Sequence, residues 1–195
     1  MGRSDWPEKL FENIKVHAGE ETAKTVTEGD GNLVSLEEKS CWASRAIKSL
    51  DEMVPDEDTR RQIMTACSCP HTEAPIEELR AFYRQTGDID RLIEKTYRNP
   101  FFIMPVRNGN AIVCTKAPRH PAEYAAAKTN RERRFYYCHC DFARASTEEI
   151  SPTHCYCGGG WYKKIWEAII ERPFRIELVK SVMLGDDVCR FAIHL

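Results

Sequence analysis

Nine cysteines stand in this 195-residue chain, and six of them fall in three Cys-x-Cys pairs: Cys67/Cys69, Cys138/Cys140 and Cys155/Cys157. Chance placement of nine cysteines gives about 0.4 such pairs, so the clustering needs a chemical reason. The odd count argues against a closed disulfide framework, and in a reducing compartment metal binding is the usual reason for paired thiols. Zinc takes four soft or borderline ligands in a tetrahedron, with sulfur at about 2.3 Å and ligand sulfurs therefore about 3.8 Å apart. In extended backbone the side chains at i and i+2 leave on the same side, so one pair can offer two sulfurs to one ion. Fourteen residues separate Cys140 from Cys155, a gap like that between the halves of a zinc ribbon. The first expectation is a single zinc site made by Cys138, Cys140, Cys155 and Cys157. An iron–sulfur cluster is the alternative cofactor, because thiolates hold both.

The other candidates are less constrained. Cys67 and Cys69 have no facing pair in sequence and stand as metal or redox candidates. Cys41 and Cys114 fall in helix and strand patterns and read as core, where free cysteine is at home. Cys189 alternates with Phe191 and Ile193, so burial explains it as well. His71, His139 and His154 each adjoin a pair. His139 sits between two ligands and points away from their ion in extended backbone; His154 can replace a cysteine. His17, His120 and His194 read as ordinary surface or core residues.

Periodicity predicts an α+β chain: a helical region over 1–98, then a mainly antiparallel sheet with a packed helix and cysteine-rich metal loops over 99–195. Helices are expected from Trp6 after a Ser4-Asp5 cap, from the capping-box pair Ser35/Glu38, from Asp56 to Met64, from Pro75 to Gly87, and around Leu92. The Asn108-Gly109 dipeptide predicts a hairpin between 101–107 and 110–116. Phe135-Tyr136-Tyr137 reads as a strand entering the second cysteine pair, followed by a short helix over 141–150. Cys155 to Gly160 reads as a loop opening a helix from Trp161 to Glu171. Two strands, at Phe174–Leu178 and Cys189–Ile193, flank a Gly185-Asp186-Asp187 turn.

Composition removes other classes. The 42% apolar content suffices for a core, and the net charge of −2 gives no general pull toward nucleic acid or anionic membrane. Lys128 to Arg134 is basic, but Glu132 interrupts it. No apolar run is long enough to span a bilayer, and the start of the chain lacks a secretory apolar stretch. The expectation is a cytoplasmic protein with neither nucleic acid nor membrane as partner; its oligomeric state stays open. No nucleophile motif and no carboxylate pair placed for acid–base work is visible. Trp161, Tyr162 and Trp166 occupy two faces of one helix, which predicts a core sandwich or an apolar ligand pocket against the C-terminal sheet.

Cys155-x-Cys157, the glycine-rich helix start, Pro173, Glu177, Gly185-Asp186-x-x-Cys189 and the closing apolar strand resemble the 4-vinyl-reductase type of ligand-binding domain and the aminothiazoline-carboxylate hydrolase-like proteins. The whole chain also resembles uncharacterised bacterial and archaeal proteins with repeated Cys-x-Cys. The first resemblance implies a small-molecule pocket beside a structural zinc, held by Cys155, Glu177 and Cys189. Ser181 stands at the third ligand position, where that pattern has a cysteine, and Cys138, Cys140 and Cys157 are the candidates for the missing thiolate. The leading function is a zinc-binding protein that binds or senses a small molecule. A hydrolase acting on a small amide-like or cyclic substrate, and an iron–sulfur or thiol redox protein, are the alternatives.

Overall fold

The structure is a computed structural model that describes residues 6–31, 33–70, 74–98, 102 and 105–195. It is an α+β fold, helical first and sheet-bearing later. Four helices open the chain: α1 (Trp6–Ala18), α2 (Glu20–Val26), α3 (Leu36–Met53) and α4 (Glu57–Ala66). The expected capping box starts α3: Ser35 Oγ accepts the Glu38 amide at 3.1 Å, and the Glu38 carboxylate accepts the Ser35 amide at 2.7 Å. Asp56 caps α4 with a one-way bond, its carboxylate accepting the Thr59 amide. The Ser4-Asp5 cap lies outside the described residues. Leu10, Ile14, Trp42, Ile47, Leu50, Ile63 and Met64 close a first core.

Helices α5 (Ala74–Thr86) and α6 (Ile89–Thr96) belong to the 1–98 stretch, yet Ile76, Leu79, Leu92 and Ile93 join the second core. That core is built on four antiparallel strands in the order β1-β2-β4-β3, with β1 Val106–Asn108, β2 Ala111–Lys116, β3 Arg175–Lys180 and β4 Cys189–His194. Gly109 takes φ 56° in the β1–β2 turn, as Asn-Gly turns require. Residues opposite each other in an antiparallel pair share a face. Lys116, Cys189, Cys114, Phe191, Ile112, Ile193, Ile176 and Leu178 therefore line the inner face, while Glu177, Ala192, His194 and Arg190 line the outer one.

Between β2 and β3 run α7 (Pro121–Ala126), α8 (Asn130–Tyr137), α9 (Asp141–Ala145), a 3-10 turn at Pro152–His154, and α10 (Cys155–Ile170). Two expectations fail here. Phe135-Tyr136-Tyr137 is the last turn of α8, not a strand. The signal for the helix was Thr129-x-x-Glu132, a second complete capping box inside the segment that reads as a basic loop. The 155–160 segment is not a loop but the first turns of α10, with its three consecutive glycines in helical conformation.

Those glycines cost helix stability, about 1 kcal/mol each relative to alanine. Packing explains two of the three. A Cβ on Gly159 would stand 3.1 Å from the Phe191 ring and 3.3 Å from Ile176, and one on Gly160 would overlap the backbone of Thr65 in α4. The glycines let α10 lie between α4 and the sheet, wedged into both cores. The partly buried Cys140 and Leu178 also pack against both.

Candidate thiol centres

The α10 geometry decides where the sulfurs go. Residues two apart in a helix point about 200° from each other, so Cys155 and Cys157 face opposite ways and cannot serve one ion. Cys138 and Cys140 flank the link between α8 and α9, the first as C-cap and the second as N-cap. Among the described residues, no group of three or more His, Cys, Asp or Glu is drawn together tightly enough to grip an ion as it stands. The single site of Cys138, Cys140, Cys155 and Cys157 is not formed. The thiols sort instead into two groups, and each of the two central pairs sends one member to each.

The first group lies at the end of the inner sheet face. The Cys155 sulfur is 3.1 Å from the Ser181 hydroxyl. Burial pushes the Cys155 thiol well up, and the neighbouring Cys189 and Cys138 sulfurs push it further. The Cys138 thiol is pushed up to about 12, first by burial and then by Cys189 and Cys140, while the Lys116 ammonium works against the rise. Cys189, also raised by burial, feels Lys116 and the Ser181 hydroxyl as stabilising neighbours. Lys116 sits directly across from Cys189 in the β2–β4 pair. Tyr137 locks the arrangement: its hydroxyl donates to the Lys116 carbonyl and accepts the Cys189 amide at 2.7 Å. Ser181 is fully buried; its hydroxyl accepts the Met183 amide, and its own amide donates to Asp186 at 2.8 Å.

Glu177, the carboxylate that the resemblance implies as a ligand, does not join this group. It lies on the outer face of β3, opposite Ala192, with its Oε2 2.9 Å from His194 Nε2. Alternation along the strand forbids it from reaching the side on which Cys189 lies.

The second group sits on the seam between the two cores. Cys157 points toward the Cys67 carbonyl, with sulfur to oxygen 3.7 Å. Burial drives its thiol far up, and Cys140, Cys67 and Cys69 add to the rise, while the Trp6 indole opposes it. Cys67 is pushed up to about 12 by burial, against the pull of Lys164 and Lys9 and a 3.9 Å contact from Asn13 Nδ2. Lys164 caps the end of α4 by donating to the carbonyls of Ala66 and Ser68 at 3.2 and 3.3 Å. Cys69 is exposed. At Cys140 burial raises the thiol, but the adjacent His154 imidazole and the amides of Ala143 and Phe142 outweigh it and bring the thiol down to about 7. No cap hydrogen bond is closed on that sulfur.

His154 itself is 5% exposed, and neither ring nitrogen has a hydrogen-bond partner. Its ring stacks at a tilt 6.1 Å from Trp6. The segment that carries it is anchored to the first core by Thr153 donating to Asp51 at 2.7 Å and Tyr156 donating to Glu57 at 2.6 Å. His139 is turned away, its Nε2 3.0 Å from the Ala117 carbonyl, as its place between two ligands implies. His71 lies outside the described residues. Cys114 is core, but Cys41 is only half-buried and touches Thr147 at 3.4 Å.

The three aromatic candidates do meet beside the sheet. Trp161, Tyr162 and Trp166, with Phe102, Pro105, Cys114 and Ile165, line a crevice of about 10 Å³, room for one water molecule. Trp166 is fully buried against Phe102, and Tyr162 packs 5.5 Å from Phe191.

Residues 116–195 match a family described as being of unknown function (DUF6144). The match covers both central cysteine pairs, Ser181 and Cys189, but not Cys67 or Cys69. No curated protein and no solved structure matches the chain. No helix among the described residues is long and apolar enough to cross a membrane.

Proposed function

We propose that this chain is a zinc-binding protein whose first-group thiols, Cys138, Cys155 and Cys189, hold one ion. The observation that carries the reading is that the Cys155 and Cys189 thiols meet at the buried Ser181 hydroxyl, with Cys138 beside Cys189 where the Tyr137 hydroxyl ties the end of α8 to β4. The donor set suits zinc: three thiolates, with the Ser181 oxygen or a water as fourth ligand. Lys116 supplies the local cation that favours loss of the thiol protons. The resemblance to 4-vinyl-reductase domains supports the same place, since Cys155, position 181 and Cys189 are three of its ligand positions. Cys138 then takes the role that Glu177 cannot.

The ion is structural in this reading. It pins the end of α8, the start of α10 and the start of β4, and metal binding of this kind contributes directly to folding. Its surroundings are closed, which favours a structural site over a catalytic one with an open water position. The small-molecule role that the resemblance implies finds little support at Trp161, Tyr162 and Trp166, whose crevice of about 10 Å³ holds one water molecule. The test is elemental analysis of protein purified without oxygen, paired with the Cys155→Ser/Cys189→Ser double variant. One zinc ion per chain should be lost in the variant; unchanged zinc content refutes the reading. A brown chromophore in the native protein would replace zinc with a cluster.

A further inference from the structure

We infer that the seam carries a second, separate metal centre, in which Cys67, Cys140, Cys157 and His154 take a zinc-class divalent ion. The argument starts from His154. A buried imidazole with both nitrogens unpaired forfeits about 1–3 kcal/mol for each polar group left without a partner. The fold nevertheless places this ring in the first core, held there by the Thr153 and Tyr156 anchors on either side of it. Its neighbour Cys140 lies close enough for the imidazole to lower its thiol, yet neither ring nitrogen closes a well-formed hydrogen bond. A thiol beside a buried imidazole that lacks a full hydrogen-bond partner is a pair of donors suited to one shared ion.

The remaining donors come from the opposite wall. Cys157 leaves α10 on the side away from Cys155, toward the Cys67 turn. Lys164 and Lys9 stand close enough to favour negative charge at Cys67. Three thiolates and one imidazole form a Cys₃His set, a regular zinc composition. On binding, three thiol protons pass to solvent and the imidazole donates a lone pair, so the centre carries a net charge of −1 beside those lysines. The exposed Cys69 is not needed. This centre shares no ligand with the proposed Cys138/Cys155/Cys189 site, and the two stand or fall separately.

The geometry also assigns the ion a task. Cys67 ends α4, Cys140 begins α9, and His154 and Cys157 border the start of α10. One ion across these four residues bolts the N-terminal helices to the sheet-bearing half where the two cores touch.

The experiment is metal stoichiometry on full-length protein, native against Cys67→Ala and His154→Gln, with X-ray absorption on the zinc-loaded native protein. Two zinc ions per chain are expected in the native protein, falling to one in either variant, and that one should survive. The native spectrum should contain imidazole scattering in a sulfur-dominated shell, a reading that needs no variant to fold. Loss of that imidazole signal in His154→Gln assigns it to His154, and an imidazole kept in that variant overturns the assignment. A sulfur-and-oxygen shell without imidazole overturns the centre, as does full zinc retention in Cys67→Ala. One ion lost only through Cys155→Ser would overturn the seam centre and leave the first site standing. One ion lost only through Cys67→Ala would do the reverse.

Discussion

Replacing Gly160 with alanine tests the packing that sets both thiol groups in place. A Cβ there would stand 2.6 Å from the Thr65 Cα and 2.7 Å from its carbonyl carbon, and closer still to the carbonyl oxygen. Ordinary carbon contacts lie near 3.5–4.0 Å, so α10 must back away from α4 by about 1 Å. These are backbone atoms and cannot rotate aside. Overpacking of this kind costs about 1–3 kcal/mol, and a rigid neighbour puts Gly160 at the upper end. Alanine returns about 1 kcal/mol of helix propensity, which leaves a net loss of about 2 kcal/mol. Gly158 is the internal control. Its Cβ would meet only Phe191 Cζ at 3.9 Å, so Gly158→Ala should keep most of the propensity gain and stabilise by about 0.5–1 kcal/mol. Urea unfolding of both variants, at one fixed zinc concentration, gives the two signs directly. A Gly160→Ala protein as stable as the native, or as stable as Gly158→Ala, would show that α10 does not lie against α4 as described.

Two further substitutions probe the sheet end of the molecule. Tyr137→Phe removes a hydroxyl that serves both the Lys116 carbonyl and the Cys189 amide, leaving a buried N–H and a C=O unpaired. The expected loss is about 1–3 kcal/mol, with faster hydrogen exchange at the Cys189 amide; unchanged exchange there would refute the role. Cys114 offers a pH test. Burial raises its thiol from an ordinary value of 9.0 to about 12. Between those two pH values the unfolded chain has released the proton and the folded chain has not, so stability falls as pH rises. Cys114→Ala lacks that loss. Its deficit against the native protein should shrink above pH about 9, by about 2 kcal/mol at pH about 10.5. A constant deficit across that range would contradict the burial of this thiol.

The local signals in the sequence were reliable where one chemical rule sufficed. Ser35/Glu38, Asp56, Asn108-Gly109 and the alternation at Cys189, Phe191 and Ile193 each fix an element by short-range hydrogen bonding or pleat, and each is present. The α8 helix has one legible signal, the Thr129/Glu132 capping box that begins seven residues before Tyr136, against the strand preference of Tyr136 and Tyr137. The burial of α5 and α6 with the sheet rather than with α1–α4 was not legible. Amphipathic helices show which face is apolar and not which core receives it.

The first turns of α10 were hidden for a deeper reason. Three consecutive glycines are a poor helix by propensity, and only the approach of Phe191 at Gly159 and of Thr65 at Gly160, both distant in sequence, makes glycine the residue that fits there. Once the segment is helical, the meaning of Cys-x-Cys changes. In a strand the two thiols would share one ion; in a helix they part by about 200°. Cys155 turns to Ser181 at the end of the sheet, and Cys157 turns to Cys67 in the helical core. Cys138 and Cys140 divide in the same way across the link between α8 and α9. The pair is then a bridge between two thiol groups, and the thiols fall on both sides of the element wedged between the cores. A spacing of i and i+2 therefore states a ligand set only after the backbone conformation is known, and here that conformation is imposed by tertiary contact.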